Sequence, residues 1–230
     1  MVKYIAEEDG SIDIDKFIEK GQKENVDLII FSNPNNPTGH VLSTENIIKI
    51  LESFKDIKVV VDEAYYEFYG ETMVNLIDQY NNLIVTRTLS KAWGLAALRV
   101  GFLLSNKECV KELLSYKVPF NVNTLSQLIA EKALEDKNSI NEQIELIKIK
   151  REVLYRNLKD LEKAAQGKVK FYASKANFIF GRTEEKEKLF DELNQNNISI
   201  RNFNDNSFRI SVGNDDENKK ILQVLKKVFL

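Results

Sequence analysis

Three stretches of the 230-residue chain place reactive side chains directly after apolar runs. Lys91 lies three residues beyond the run LIVTRT (Leu83–Thr88), with the hydroxyls of Thr88 and Ser90 before it and Arg99 eight residues on. A neutral lysine amine can form a Schiff base with an aldehyde. It stays neutral near pH 7 only when desolvation or a neighbouring cation lowers its proton affinity. Two hydroxyls and an arginine fork at this spacing suit a phosphate, and Gly94 and Gly101 allow tight turns around it. Asp62 ends the second run, IKVVVD. A carboxylate there is costly to leave unpaired, and a protonated ring nitrogen is one cation that would pair with it. Tyr65, three residues on, could aim its hydroxyl at a phenolate oxygen. Asn36, in SNPNNPTG, precedes Pro37 and is held extended, which makes its amide a rigid donor. Singly, each residue has a plain alternative. These are a surface lysine, an aspartate that caps a helix or pairs with arginine, a serine N-cap, a packed tyrosine and an ordinary turn.

The elements that must position these residues follow from periodicity. Val26–Ser32 (VDLIIFS) is a near-continuous apolar run, the pattern of a strand buried on both faces. Ser43–Phe54 reads as a helix capped by Ser43 or Thr44. Ile57–Asp62, Leu83–Thr88 and Val100–Leu104 read as further strands. The alternation predicts an α/β fold with a mainly parallel sheet. Ligands of such sheets sit beyond the carboxyl ends of the strands, where all three reactive stretches fall. From Asn123 to about Lys163 apolar residues recur at helical spacing, with a break near Asp136–Ser139. Short strands are expected at Val169–Tyr172, Asn177–Phe180, Ile198–Asn202 and Phe208–Val212, with helices at Glu185–Asn194 and Glu217–Phe229. This is a smaller α+β domain, and Pro119 divides the chain into 1–118 and 119–230.

Composition narrows the functional classes. Thirty-three basic and 35 acidic residues leave a net charge of −2, with no basic excess for nucleic acid. One cysteine, Cys109, excludes an internal disulfide and a Cys-rich metal site. One histidine, His40, excludes a His-cluster metal site and argues against a Ser-His-Asp triad. No apolar run reaches the roughly 20 residues of a membrane span. The N-terminal residues lack the apolar core of a signal peptide. A cytoplasmic protein without metal, membrane or nucleic-acid partner is expected.

The stretches NPNNPTG, VVVDEAYYEF and TRTLSKAWGLAALRVGF, in this order, closely resemble the fold-type I pyridoxal phosphate aminotransferases. The variant DEAYYEF followed by TLSKAWGLAALRVG looks most like the histidinol-phosphate aminotransferase group. The resemblance implies that Lys91 bonds the cofactor covalently and moves a proton at the substrate. It implies that Asp62 pairs with the pyridine nitrogen, that Asn36 and Tyr65 bind the phenolate oxygen, and that Thr88, Ser90 and Arg99 hold the phosphate. SFRISVG resembles the strand whose arginine grips the substrate carboxylate, here Arg209, while Arg201 in ISIRNF resembles a second arginine for a distal phosphate. Asn177 in KANFIF matches a position near the site. The implied reaction is transamination between glutamate and an imidazole phosphate ketone, in a homodimer. Alternatives are a threonine-phosphate decarboxylase or an aromatic aminotransferase on the same scaffold, or a non-catalytic remnant that self-associates. In the family a substantial portion precedes the region where this chain begins. It includes a phosphate-binding loop and an aromatic that stacks on the ring. A partial large cofactor-binding domain over 1–118 is therefore expected, followed by the long helices and small domain of 119–230.

Overall fold

The β-branched runs of the first half do form strands, and the intervening amphipathic stretches form helices. The computed structural model describes residues 1–230. Its elements group into two units, residues 1–36 with 40–142 and residues 37–39 with 143–230. The boundary between these two units falls at 142/143.

In the first unit α1 (Ile14–Lys23) leads to β1 (Leu28–Ser32), α2 (Thr44–Ser53), β2 (Lys58–Asp62), the single turn α3 (Tyr66–Tyr69), β3 (Leu83–Thr88) and β4 (Gly101–Leu104). Then come α4 (Lys107–Leu114), α5 (Thr124–Glu135) and the start of α6 (Lys137–Ala164), with the helical break at Asp136. The sheet order is β1-β2-β3-β4. The first three strands are parallel, and β4 is antiparallel to β3. The segment 89–100 between them holds only a 3-10 turn at Ala96–Leu98 and no crossover helix, and it returns the chain alongside β3 from the same edge.

One face of the sheet is packed by α1 and α2. Ile14, Ile18, Ile47, Ile50 and Leu51 cluster there with Ile29, Val59, Val61 and Val85. Ser43 caps α2 at its start, and the buried Asn82 amide donates to the carbonyls of Leu51 and Phe54 at its end. β1 corrects the expectation of a strand buried on both faces. It is an edge strand, and its alternate residues Leu28 and Ile30 are 47% and 63% exposed. An apolar run shows that a strand can be buried, but only neighbouring elements bury it. α5 belongs with the first unit because Ala130 and Leu134 pack against Leu89, Val100 and Trp93.

In the second unit β5 (Val169–Tyr172), β6 (Phe178–Thr183), β8 (Ser207–Ser211) and β7 (Arg201–Asn202) pair antiparallel in the order β5-β6-β8-β7. The C-terminal half of α6, α7 (Lys186–Gln195) and α8 (Asp215–Phe229) supply Leu158, Leu189 and Leu225 to a core that includes Ile179, Phe171 and Phe208. Asn214 and Glu217 form a reciprocal capping box at the start of α8.

Two substitutions test this packing. Leu158 is fully buried, so Leu158→Ala should cost about 2–5 kcal/mol. Asn214→Ala should cost about 1 kcal/mol. Urea unfolding of the purified chain would give both values, and equal costs would contradict the assignment of Leu158 to a core and Asn214 to a cap.

Candidate active site

The parallel register brings the three predicted loops to one edge. Ser32, Asp62 and Thr86 lie side by side on β1, β2 and β3. β4 starts at the same edge, since Thr88 faces Gly101 across the antiparallel pair. Asn36, Asp62, Thr88 to Lys91, and Arg99 are therefore carried at the site-side ends of four neighbouring strands.

Each loop is held by its own hydrogen bonds. After β1 the Asn33 side chain donates to the Leu42 carbonyl (3.2 Å) and accepts from the Leu42 N–H (2.8 Å), which closes the loop containing Asn36. The Asn36 N–H donates to Ser32 Oγ (3.3 Å). After β2 the Asp62 Oδ1 accepts from Thr86 Oγ1 (3.0 Å) and from the Ala64 N–H (3.2 Å). Asp62 neither caps a helix nor meets an arginine; the ion pair at this end belongs to the next residue, Glu63. Tyr65 is buried at the start of α3, and Lys91 Nζ lies 5.4 Å from the centre of its ring.

After β3 the Ser90 N–H donates to Thr88 Oγ1 (3.1 Å) and the Gly94 N–H to the Lys91 carbonyl (3.1 Å). Gly94 has φ +67°, a conformation open to glycine. The loop closes through Leu95 N–H to Leu89 O (2.9 Å) and Leu89 N–H to Val100 O (3.2 Å). Its apolar side, Trp93, Leu95 and Leu98, packs with α5. Lys91 itself is exposed, so burial does not lower the proton affinity of its amine, and of the two routes named above only a neighbouring cation is left. Arg99 adopts φ +56° and donates to the Ala96 carbonyl (3.1 Å). A non-glycine residue in that region is uncommon and is found where surrounding structure enforces it. An open hollow of about 950 Å³ runs along the free edge of β1 from the N-terminal segment to Ser32, Asn35 and Asp62.

The second unit holds the other predicted residues. Arg201 on β7 faces Arg209 on β8 directly across the ladder. Like charges at directly opposed positions repel, and the Arg201 guanidinium carbon lies 5.9 Å from the centre of the Phe203 ring. The Arg209 guanidinium carbon lies 4.5 Å from the centre of the Phe178 ring. Asn177 precedes β6, and its carbonyl accepts from the Val212 N–H (2.9 Å). The turn before it is pinned by Arg151, a buried α6 residue whose Nη1 donates to the Ala176 carbonyl (3.1 Å). Within this unit the Lys175 N–H donates to the Gly39 carbonyl (2.9 Å). Gly39 has φ +73°, and a Cβ there would come within 2.0 Å of Ser174 Oγ.

Sequence reasoning did not single out Glu63, Arg87, Glu67, Trp93 or Arg151. Glu63 is buried. Its Oε2 accepts from Arg87 Nη2 (2.9 Å), Arg87 Nε (3.1 Å) and Thr72 Oγ1 (2.7 Å), and its Oε1 from the Met73 N–H (2.6 Å). The Arg87 guanidinium also stacks 3.5 Å from the centre of the Tyr66 ring. The available signal was an arginine inside the apolar run LIVTRT, which needs a partner if the strand is buried. Glu67 Oε1 accepts from Trp93 Nε1 (3.1 Å). Burial pushes the Glu67 carboxyl up to about 7, against the opposing pull of the Trp93 hydrogen bond and the Arg87 charge.

Arg87→Met should leave the Glu63 carboxylate buried without its cation and cost about 3–5 kcal/mol. Adding Glu63→Gln to that variant should recover part of the loss. Urea midpoints of the three proteins decide it; an Arg87→Met variant as stable as the wild type would contradict a buried pair.

Against known proteins, the family model for aminotransferase class I and II matches residues 1–225. The chain is 42% identical over 224 residues to a histidinol-phosphate aminotransferase of Clostridium novyi, covering 96% of this chain and 61% of that protein. A histidinol-phosphate aminotransferase of Thermoanaerobacter pseudethanolicus is 41% identical over 228 residues, covering 97% and 63%. The chain thus spans about three fifths of the length of these relatives. Among solved structures, the histidinol-phosphate aminotransferase of Clostridium acetobutylicum superposes with a TM-score of 0.86 at 29% identity, over 96% of this chain and 69% of that one. The motifs that line one sheet edge and the match along nearly the whole chain lead to one conclusion: this chain belongs to the class I and II aminotransferase family.

Proposed function

We propose that the chain carries the cofactor- and substrate-binding residues of a pyridoxal phosphate-dependent aminotransferase that moves an amino group between histidinol phosphate and 2-oxoglutarate. The observation that carries this reading is the row of Asn36, Asp62, Thr88, Ser90, Lys91 and Arg99 along one sheet edge, with Asp62 hydrogen-bonded but paired to no cation. The donor set fits the cofactor: one carboxylate for a ring nitrogen, hydroxyls and a guanidinium for a phosphate, and an accessible amine. The names of the relatives support the choice of substrate.

In this reading pyridoxal phosphate, when bound, supplies the electron sink for bond breaking at the substrate α-carbon. The Lys91 amine would hold the cofactor by its aldehyde and, as a base, would move the proton at the substrate α-carbon. The Asp62 carboxylate keeps the ring nitrogen protonated, because an ionised partner favours the charged form. The hydroxyls of Thr88 and Ser90 and the Arg99 guanidinium hold the phosphate. The Asn36 amide and the Tyr65 hydroxyl orient the ring through its phenolate oxygen. Arg209 grips a carboxylate as a bidentate fork, Arg201 meets a distal phosphate, and Asn177 borders the substrate. Residues 1–118 act as part of the cofactor-binding domain, and 119–230 supply the long helices and the substrate arginines. A cytoplasmic homodimer completes the proposal. No helix of the chain is long and apolar enough to cross a membrane.

A second reading draws on the exposed Leu28 and Ile30 of the edge strand β1: a non-catalytic module that associates with itself through that edge. The two readings separate in one experiment. Pyridoxal phosphate is added to the purified chain, the visible absorbance is recorded, and borohydride traps any covalent adduct for peptide mapping. The enzyme reading expects a visible band and an adduct on Lys91, both lost in Lys91→Ala. Asp62→Asn should weaken cofactor binding at least about tenfold, near 1.4 kcal/mol. An adduct of equal yield in Lys91→Ala sinks the assignment of the lysine. Self-association with neither band nor adduct supports the second reading.

A further inference from the structure

We propose that Glu67 is a positioning residue for Lys91, acting through Trp93, and that proton uptake at Glu67 loosens the turn that carries the lysine. The proposal rests on the reading of Lys91 given above. Glu67 lies on α3, and Trp93 lies two residues beyond Lys91, inside the turn closed by Gly94 N–H to Lys91 O. The Glu67–Trp93 hydrogen bond (3.1 Å) ties that turn to the chain following β2. Tyr65, whose ring faces the Lys91 amine, is the residue immediately before the same α3 turn. Glu67 therefore bonds a residue of the lysine turn and shares its own helical turn with the tyrosine that faces the amine.

The Glu67 environment makes this tie sensitive to protonation. Oε2 is buried and has no hydrogen-bond partner, which penalises the ionised form. The charged groups that bear on it are Arg87 from β3 and Glu63 from the end of β2, besides Tyr66 on its own element. Arg87 is bonded to Glu63 and Thr72, so its charge is largely committed there. When Glu67 is ionised, the indole N–H meets a carboxylate and the bond is charge-assisted; when it is protonated, the bond is a weaker neutral one. The linkage runs in a definite direction. Glu67 binds its proton more tightly in the folded chain than in the unfolded one, so ionised Glu67 costs stability. That cost is absent below the ordinary value of 4.5, grows as pH rises, and is complete above about 7. The turn is thus held most firmly at the pH where the folded state gives up some stability to hold it.

Trp93 is the one tryptophan of the chain, so it reports on this contact without any cofactor. The test measures its emission, excited selectively, from pH 5 to 9. In parallel, the initial rate of borohydride-trapped pyridoxal phosphate labelling at Lys91 is measured over the same range. The wild type should show one emission transition with a midpoint near 7, and the labelling profile should carry an inflection at the same pH. Glu67→Gln keeps an acceptor for the indole but cannot titrate, so both the transition and the inflection should vanish. Trp93→Phe, with Glu67 intact, should lose the labelling inflection as well. An emission transition that survives Glu67→Gln, or no transition in the wild type, overturns the proposal. So does a Lys91 labelling profile that is the same in the wild type, Glu67→Gln and Trp93→Phe, while the reading of Lys91 itself stands. Lys91 unlabelled at every pH, with Trp93 still titrating, overturns that reading and takes the positioning role with it.

Discussion

The site depends on a register. Ser32, Asp62 and Thr86 stand abreast because β1, β2 and β3 are parallel and in step. A parallel ladder turns all its strand ends the same way, so each following loop starts from one edge. A slip of one residue in β2 would turn Asp62 to the opposite face and break its bond to Thr86 Oγ1. The apolar contacts of Val59, Val61 and Val85 with α1 and α2 make such a slip costly. The hydrophobic core thus sets the position of a polar group that it does not itself contain.

Next to that edge lies a second tier of polar side chains. Glu63 follows Asp62 in the chain but does the opposite job: Asp62 meets no cation, whereas Glu63 is buried and fully engaged by Arg87, Thr72 and Met73. A buried carboxylate is tolerated only when its lone pairs are satisfied. Arg87 is engaged by Glu63, and Asp62 accepts only from Thr86 Oγ1 and the Ala64 N–H. Separation of roles between two adjacent acids comes from strand alternation, since consecutive residues point to opposite sides as the strand ends.

The second unit follows a different logic. Its antiparallel sheet brings Arg201 and Arg209 face to face, although neighbouring strands ordinarily avoid such pairs. The turn before β6 is constrained by buried groups: Arg151 holds the Ala176 carbonyl, and Gly39 fits against Ser174 because it has no Cβ. These are supporting features, and each occupies a position that would be destabilising without its partner.

The sequence alone was enough to locate Lys91, Asp62, Asn36, Thr88, Ser90 and Arg99 at strand ends, because apolar runs and turn residues are local signals read within a few positions. The helical break at Asp136 and the Ser43 cap were legible for the same reason. What the sequence could not express was anything set by a distant partner. It did not say that β1 would be an edge with Leu28 and Ile30 exposed, that β4 would run antiparallel, or that Lys91 would be exposed. Nor did it assign Arg87 to Glu63, Trp93 to Glu67, or Arg151 to the turn before Asn177. Burial and hydrogen-bond partnership across 24 or more positions depend on which elements come to lie side by side, and only the tertiary structure decides that.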